Sequence, residues 1–147
     1  MIISGSYDYT IKLWPLRGQV IDDFDALKYS YNNFDLSSNG EKVAYISTSD
    51  KTVIRDIATQ EELYLDTYTD VKDVSFSPSG DTLATAIKDK KLILWNSKGK
   101  ELYTIKDNSD ILEMKFSHDG KLLVTANENK DLCIWTNTGK LKKRVSG

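Results

Sequence analysis

Val71-Lys72-Asp73-Val74-Ser75-Phe76-Ser77-Pro78-Ser79-Gly80 opens a unit that continues through Leu83-Ala84-Thr85-Ala86 to Leu92-Ile93-Leu94-Trp95. Val74 and Phe76 stand two residues apart, with polar residues between and after them. That period of two marks a half-buried strand. Pro78-Ser79-Gly80 is a polar turn, and the small residues Ala84, Thr85 and Ala86 suit a second strand in a crowded interior.

The same unit recurs on either side. Gly40, Gly80 and Gly120 lie 40 residues apart, at the tips of Ser38-Asn39-Gly40, Pro78-Ser79-Gly80 and His118-Asp119-Gly120. Leu36-Ser37, Phe76-Ser77 and Phe116-Ser117 precede them, with Phe34, Val74 and Met114 two residues further back. Second strands follow at Val43–Ile46, Leu83–Ala86 and Leu123–Ala126. Third strands read Thr10–Trp14, Val53–Arg55, Leu92–Trp95 and Leu132–Trp135. Four residues beyond each Trp a glycine (Gly18, Gly99, Gly139) supplies a tight turn, and Thr59 holds that place in the second copy. Fourth strands are expected at Gln19–Phe24, Glu61–Leu65, Glu101–Ile105 and Lys140–Val145. No capping box leads into an apolar stripe of helical period. The repeating unit is four short antiparallel strands.

This pattern resembles the WD-repeat (β-transducin-like) family of β-propellers, whose repeats run about 40–45 residues with four strands per blade. Ile3-Ser4-Gly5-Ser6-Tyr7-Asp8-Tyr9-Thr10-Ile11-Lys12-Leu13-Trp14 and Val71–Gly80 carry the resemblance, which extends over essentially the whole chain. It implies an all-β fold of propeller blades, in one partial propeller. An incomplete blade takes residues 1–26, and full blades take 27–66, 67–106 and 107–147, about 3.75 blades in all.

The copies depart from the family's pattern. Trp14-Pro15, Arg55-Asp56, Trp95-Asn96 and Trp135-Thr136 stand where its Trp-Asp pair would be, and Thr67 and Asp107 where its histidine would be. Family members often join that histidine, an Asp, a hydroxyl and the Trp in a buried hydrogen-bond network. Without the histidine the blades are expected to rely more on apolar packing. Arg55 either lays its stem over the apolar patch that Trp covers elsewhere, or offers a charge to a partner; Asp56 stands beside it to pair with it.

Strand counting has a larger consequence. The chain opens at the second strand of a blade (Ile2–Ser6), so an open arc leaves two blade faces bare and one edge unpaired, liabilities that proteins cover. Seven blades, common in the family, take about 280 residues. The preferred expectation is a piece of a longer propeller, because Met1 falls inside a repeat; the alternative is chains that complete each other's ring. Residues 1–73 carry 7 Lys/Arg against 13 Asp/Glu, a net of −6, and residues 74–147 carry 13 against 9, a net of +4. Lys140, Lys142, Lys143 and Arg144 at one end and Asp22, Asp23 and Asp25 at the other make head-to-tail self-association a specific expectation.

Composition bounds the chemistry. A chain of 147 residues, 39% hydrophobic and 29% charged with a net charge of −2, is globular and carries no nucleic-acid footprint. No apolar run is long enough to span a bilayer as a helix, and the N-terminus lacks the pattern of a secretory signal. One cysteine, Cys133, fits a reducing compartment, so the expected location is cytoplasmic. Cys133 alternates into a strand as core. His118, the single histidine, lies in a turn with no serine arranged to use it. Metal-ligand spacing and glycine-rich phosphate loops are missing. The expectation is no catalytic residue, no cofactor and no metal.

What remains is a binding surface. In the resembled family the loops joining fourth to first strands share one face with those joining second to third strands, and that face commonly binds peptides or proteins. By repeat position the candidate partner-binding residues are Tyr7, Asp8, Tyr9, Asp50, Tyr68, Asp70, Lys88, Lys90, Asn108, Asp110 and Glu128. Tyr and charged groups suit an interface. The function expected is a non-catalytic protein–protein interaction scaffold; the alternative is the sensor or regulatory propeller region of a larger signalling NTPase or kinase.

Overall fold

Fifteen strands and no helix form among the described residues, because the period of two persists from one end of the chain to the other. The computed structural model describes residues 1–25, 33–49, 51–67 and 70–147. The first sheet holds β1 (Ile2–Gly5), β2 (Thr10–Trp14) and β3 (Asp22–Asp25). The second holds β4 (Phe34–Leu36), β5 (Lys42–Ile46), β6 (Thr52–Asp56) and β7 (Glu62–Tyr64). In the third are β8 (Val71–Phe76), β9 (Thr82–Ile87), β10 (Lys91–Asn96) and β11 (Glu101–Lys106). The fourth consists of β12 (Ile111–Phe116), β13 (Leu122–Asn127), β14 (Leu132–Thr136) and β15 (Leu141–Val145). Every pairing described is antiparallel between consecutive strands, and β8 packs against both β4 and β12, the three being the innermost strands of their sheets. These are propeller blades.

Register repeats from sheet to sheet. Trp14 pairs with Ile2, Trp95 with Leu83 and Trp135 with Leu123, and Arg55 takes the same place opposite Val43. Bulges recur as well. One falls between Val71 and Asp73 in β8 and another between Ile111 and Glu113 in β12, each bending the start of an innermost strand. Outer strands differ slightly from expectation. β3 begins at Asp22, since Gln19–Ile21 form a loop in which the Ile21 N–H donates to the Leu13 carbonyl at 2.8 Å.

Between sheets lie three apolar layers. Ile11 packs with Val43, Tyr45 and Val53; Ala44, Ile46, Ile54 and Leu65 with Leu83, Ile93 and Trp95; Ala84, Ala86, Leu92, Leu94 and Ile105 with Leu123, Cys133 and Trp135. Burying one such large aliphatic side chain is worth about 1.5–3 kcal/mol. A hydrogen bond nets about 0.5–1.5 kcal/mol, so apolar area dominates and polar links fix geometry.

Those polar links are more complete than the sequence led us to expect. Each Trp indole N–H donates to a hydroxyl on the neighbouring strand: Trp14 to Ser4 at 2.9 Å, Trp95 to Thr85 at 2.9 Å and Trp135 to Thr125 at 3.0 Å. In the second sheet Tyr45 and Arg55 replace that hydroxyl and indole. Both donate to Glu62 Oε1, Tyr45 at 2.8 Å and Arg55 at 2.9 Å, and the Tyr64 hydroxyl donates to Oε2 at 2.6 Å. Arg55 therefore pairs with Glu62 rather than Asp56, whose carboxylate caps its own turn by accepting from Ala58 and Thr59. These hydroxyl and guanidinium donors hold the Glu62 carboxyl below the usual range, Tyr64 first. Burial, with the bond to Glu62 second, pushes the Tyr45 phenol well above its usual value.

The innermost strands are also tied to each other. Asp35 accepts the Phe76 N–H at 2.7 Å on Oδ2, and Asp73 accepts the Met114 N–H at 2.8 Å in the same way. Each carboxylate also accepts the N–H of its following residue on Oδ1, at 2.9 Å in both cases. Removal from water raises the Asp73 carboxyl to about 6, against the opposing effect of those bonds.

Turns between third and fourth strands seat one sheet on the next. A Cβ at Gly99 would lie 3.0 Å from Leu65 Cδ2 and 3.1 Å from Leu63 Cδ2, and one at Gly139 would lie 3.0 Å from Ile105 Cγ1. Their φ values of 74° and 86° independently call for glycine. In the second sheet the turn is one residue longer, and Gln60 (φ 61°), not Thr59, takes the left-handed place.

Candidate interaction face

Turns joining second to third strands and loops joining fourth to first strands lie together at one end of the sheets. In the first sheet Ser6–Thr10 closes with Tyr9 N–H donating to Ser6 O at 3.0 Å. Asp8 Oδ1 accepts the Thr10 hydroxyl at 2.7 Å and the Thr10 N–H at 3.1 Å, which holds its carboxyl below the usual range. Tyr7 extends from this turn as one of the most exposed side chains described.

In the third and fourth sheets the turns are laced to the neighbouring loops. Lys88 N–H donates to Asp70 O at 3.1 Å, and Glu128 N–H donates to Asp110 O at 3.0 Å, the same bond 40 residues on. Asp110 Oδ1 accepts the Lys90 N–H at 2.8 Å, and Lys90 O accepts the Asp107 N–H at 2.8 Å. Asp70 also pairs with Lys72 at 3.0 Å. Asp70 and Lys88 therefore sit together, as do Lys90, Asp110 and Glu128. Tyr7, Asp8 and Tyr9 stand on the first sheet's turn, while Asp50 and Tyr68 lie outside the described residues. Asn108 turns its amide inward, donating to Asp131 at 3.2 Å and accepting from Asn127 at 3.0 Å.

Backbone strain separates this end from the opposite one. Gly18, Gly40, Gly80, Gly99, Gly120 and Gly139 have positive φ, and all six belong to the opposite turns. Of the six other described residues with positive φ, Tyr9, Asp70, Asp89, Lys90 and Lys130 lie on the laced face, and Gln60 alone lies in the opposite turns. Left-handed backbone costs a side-chain-bearing residue about 1–2 kcal/mol. Consecutive Asp89 and Lys90, with φ of 67° and 64°, fill a combination usually given to Asn-Gly. Such outliers persist where surrounding bonds impose them, and they cluster at functional sites.

Beneath the face, a buried polar cluster braces the last blade. Asp107, its side chain fully buried, accepts Arg144 Nη2 at 2.8 Å and the Cys133 thiol at 3.6 Å on Oδ1. Asn127 bridges Asp107 and Asn108, and Arg144 Nη1 lies 3.8 Å from Asp131. Desolvation in the core, where Cys133 is buried, pushes its thiol up. Thr67, at the corresponding place one blade earlier, accepts the Thr52 N–H and donates to the Thr52 hydroxyl, both at 3.1 Å. Sequence reasoning had marked Thr67 and Asp107 as losses, yet both hold bonds. Arg144 was missed as the partner of Asp107 because it reads as one more surface cation.

His118 is exposed in its turn. Among the described residues no three His, Cys, Asp or Glu side chains converge to hold a metal ion.

Four-stranded antiparallel sheets stacked by repeated register, with turns and loops gathered at one end, define a β-propeller repeat protein. Residues 74–146 match the family model described as the anaphase-promoting complex subunit 4 WD40 domain. No curated protein sequence matched the chain. Together with the 40-residue repeat and the sheets, the match supports a WD40-repeat β-propeller family. WD40 domains generally act as non-catalytic protein–protein interaction scaffolds.

Proposed function

We propose that this chain is a non-catalytic scaffold that binds a protein or peptide partner through the laced face. The distribution of left-handed residues carries the reading. Glycine would relieve the strain at Tyr9, Asp89, Lys90 and Lys130, as it does in the opposite turns at every left-handed place but that of Gln60. Retaining side chains there makes sense if those side chains are used. The matched domain type, which belongs to a subunit of a complex, supports the same role. The single buried thiol supports work in a reducing, cytoplasmic setting. Copies of the chain also associate through the uncovered faces of the end sheets, in this reading.

Affinity capture with three forms of the chain tests the scaffold role. The wild type and a Glu41→Ala/Lys98→Ala variant, altered in the opposite turns, should retain the same partner. A Tyr7→Ser/Lys88→Glu/Glu128→Lys variant should lose it. Capture that survives this triple substitution while failing in the opposite-turn variant would overturn the assignment.

A further inference from the structure

Four stacked sheets have two outer faces, and both carry apolar residues at places that are buried elsewhere in the same chain, although Lys12 stands on the first front where Val53, Ile93 and Cys133 stand on the others. Leu132 and Val145 are register partners in the fourth sheet, as Leu92 and Ile105 are in the third. Leu92 and Ile105 are 0% and 4% exposed beneath the fourth sheet, whereas Leu132 and Val145 are 48% and 45% exposed. Ile2 opposes Trp14 on the front of the first sheet, as Leu83 opposes Trp95 and Leu123 opposes Trp135. Leu83 and Leu123 are 1% and 0% exposed, but Ile2 is 53% exposed. Gly18 repeats the theme. Its counterparts Gly99 and Gly139 seat against the preceding sheet's outer strand, while a Cβ at Gly18 would meet only Pro15, at 3.5 Å.

We infer that the back of the fourth sheet receives the front of the first sheet of a second copy, a contact that repeats the junctions already present inside the chain. This rests on the self-association stated above and specifies its surfaces. Front and back are different surfaces, so the contact is heterologous, and two arcs of four sheets close on each other if the rotation permits. Charge favours this order. Asp23 and Asp25 are exposed on β3, and Lys142 and Lys143 are exposed on β15, while residues 1–73 and 74–147 carry nets of −6 and +4 (7 against 13, and 13 against 9). Opposite ends steer head to tail and like ends repel.

Sedimentation velocity on the 147-residue chain at micromolar concentration tests the contact. The wild type should run as a dimer or a larger assembly. A back-blocked Leu132→Asp/Val145→Asp variant and a front-blocked Ile2→Asp variant should each run as folded monomers, with the far-ultraviolet spectrum of the wild type. Mixed in equal amounts they should recover a one-to-one complex, because one retains a whole front and the other a whole back. A monomeric wild type, assemblies that persist in either variant, or a mixture that stays monomeric would overturn the inference. Partner capture by the back-blocked variant reads the laced face separately, so failure of one proposal is distinguishable from failure of the other.

Discussion

Asp73 and Met114 are joined by a single bond, a carboxylate oxygen accepting a backbone N–H at 2.8 Å, and it couples the innermost strand of one blade to that of the next. Asp35 repeats the arrangement with Phe76 one blade earlier, at 2.7 Å. Since both acceptors reach 41 residues along the chain, inter-blade order depends on ionisable groups as well as on apolar layers.

Asp73 makes stability depend on pH in an unusual direction. Its folded value of about 6 lies above the ordinary 3.8, so the folded state binds the extra proton between those values. Its contribution is fully present below about 3.8 and declines as pH rises through about 6. The difference in unfolding free energy between wild type and Asp73→Asn should therefore fall from pH 4 to pH 6 and then level. Urea titrations across that range check it, and parallel curves for the two proteins would rule it out.

Gly99 carries two demands and Gly80 only one. Alanine at Gly99 meets both a φ of 74° and Leu65 at 3.0 Å, whereas alanine at Gly80 meets a φ of 75° and its nearest neighbour at 3.8 Å. Gly80→Ala should cost about 1 kcal/mol, from left-handed backbone alone. Gly99→Ala should cost about 2–3 kcal/mol, as crowding is added. Equal denaturation midpoints for the two variants would show that the turn does not seat tightly on the preceding sheet.

Tyr45 and Arg55 should behave as one unit. They stand where Thr85 and Trp95 stand in the next blade, with a large residue traded for a small one across the pair. Arg55→Trp alone crowds Tyr45 and leaves Glu62 without its cation, and Tyr45→Thr alone opens a cavity. Together they restore a Trp–hydroxyl bond like that of Trp95 and Thr85 at 2.9 Å. A double-mutant cycle should give a favourable coupling of about 1 kcal/mol or more. Additive effects would contradict the exchange.

Lys90 offers a direct comparison of stability with binding. Lys90→Gly relieves left-handed strain and should raise stability by about 0.5–1 kcal/mol after the entropy cost of glycine. The same variant should retain less partner in affinity capture. Thermal unfolding and capture on one preparation check both halves, and a less stable variant would show that the side chain serves packing instead.

The blades were legible in sequence because period two, turn glycines and Trp positions repeat at a fixed spacing and each reports local geometry. Outer-strand starts were less so; Gln19–Ile21 alternate like a strand but form a loop ahead of Asp22. Left-handed Tyr9 and Lys90 could not be foreseen, since neither residue type favours that backbone. Polar bracing escaped for a different reason. Asp107 and Arg144 lie 37 residues apart and belong to no repeated pair, so only folding reveals that they meet. Glu62 likewise looks like any exposed acid until Tyr45, Arg55 and Tyr64 converge on it. Repeat position gives the residues of the laced face, but pairs such as Lys90 with Asp110 join separate loops and leave no mark in the repeat.

Among the described residues, the main contacts of each sheet are with its neighbours in the stack. Such an array behaves nearly as a one-dimensional lattice, with cohesion set by nearest neighbours. Amide exchange should therefore be slowest in β5, β9 and β10, which are flanked on both sides, and fastest in β1 and β15. Melting would proceed by fraying inward, so a lesion in the third sheet would split the array while the same lesion in the first would only shorten it.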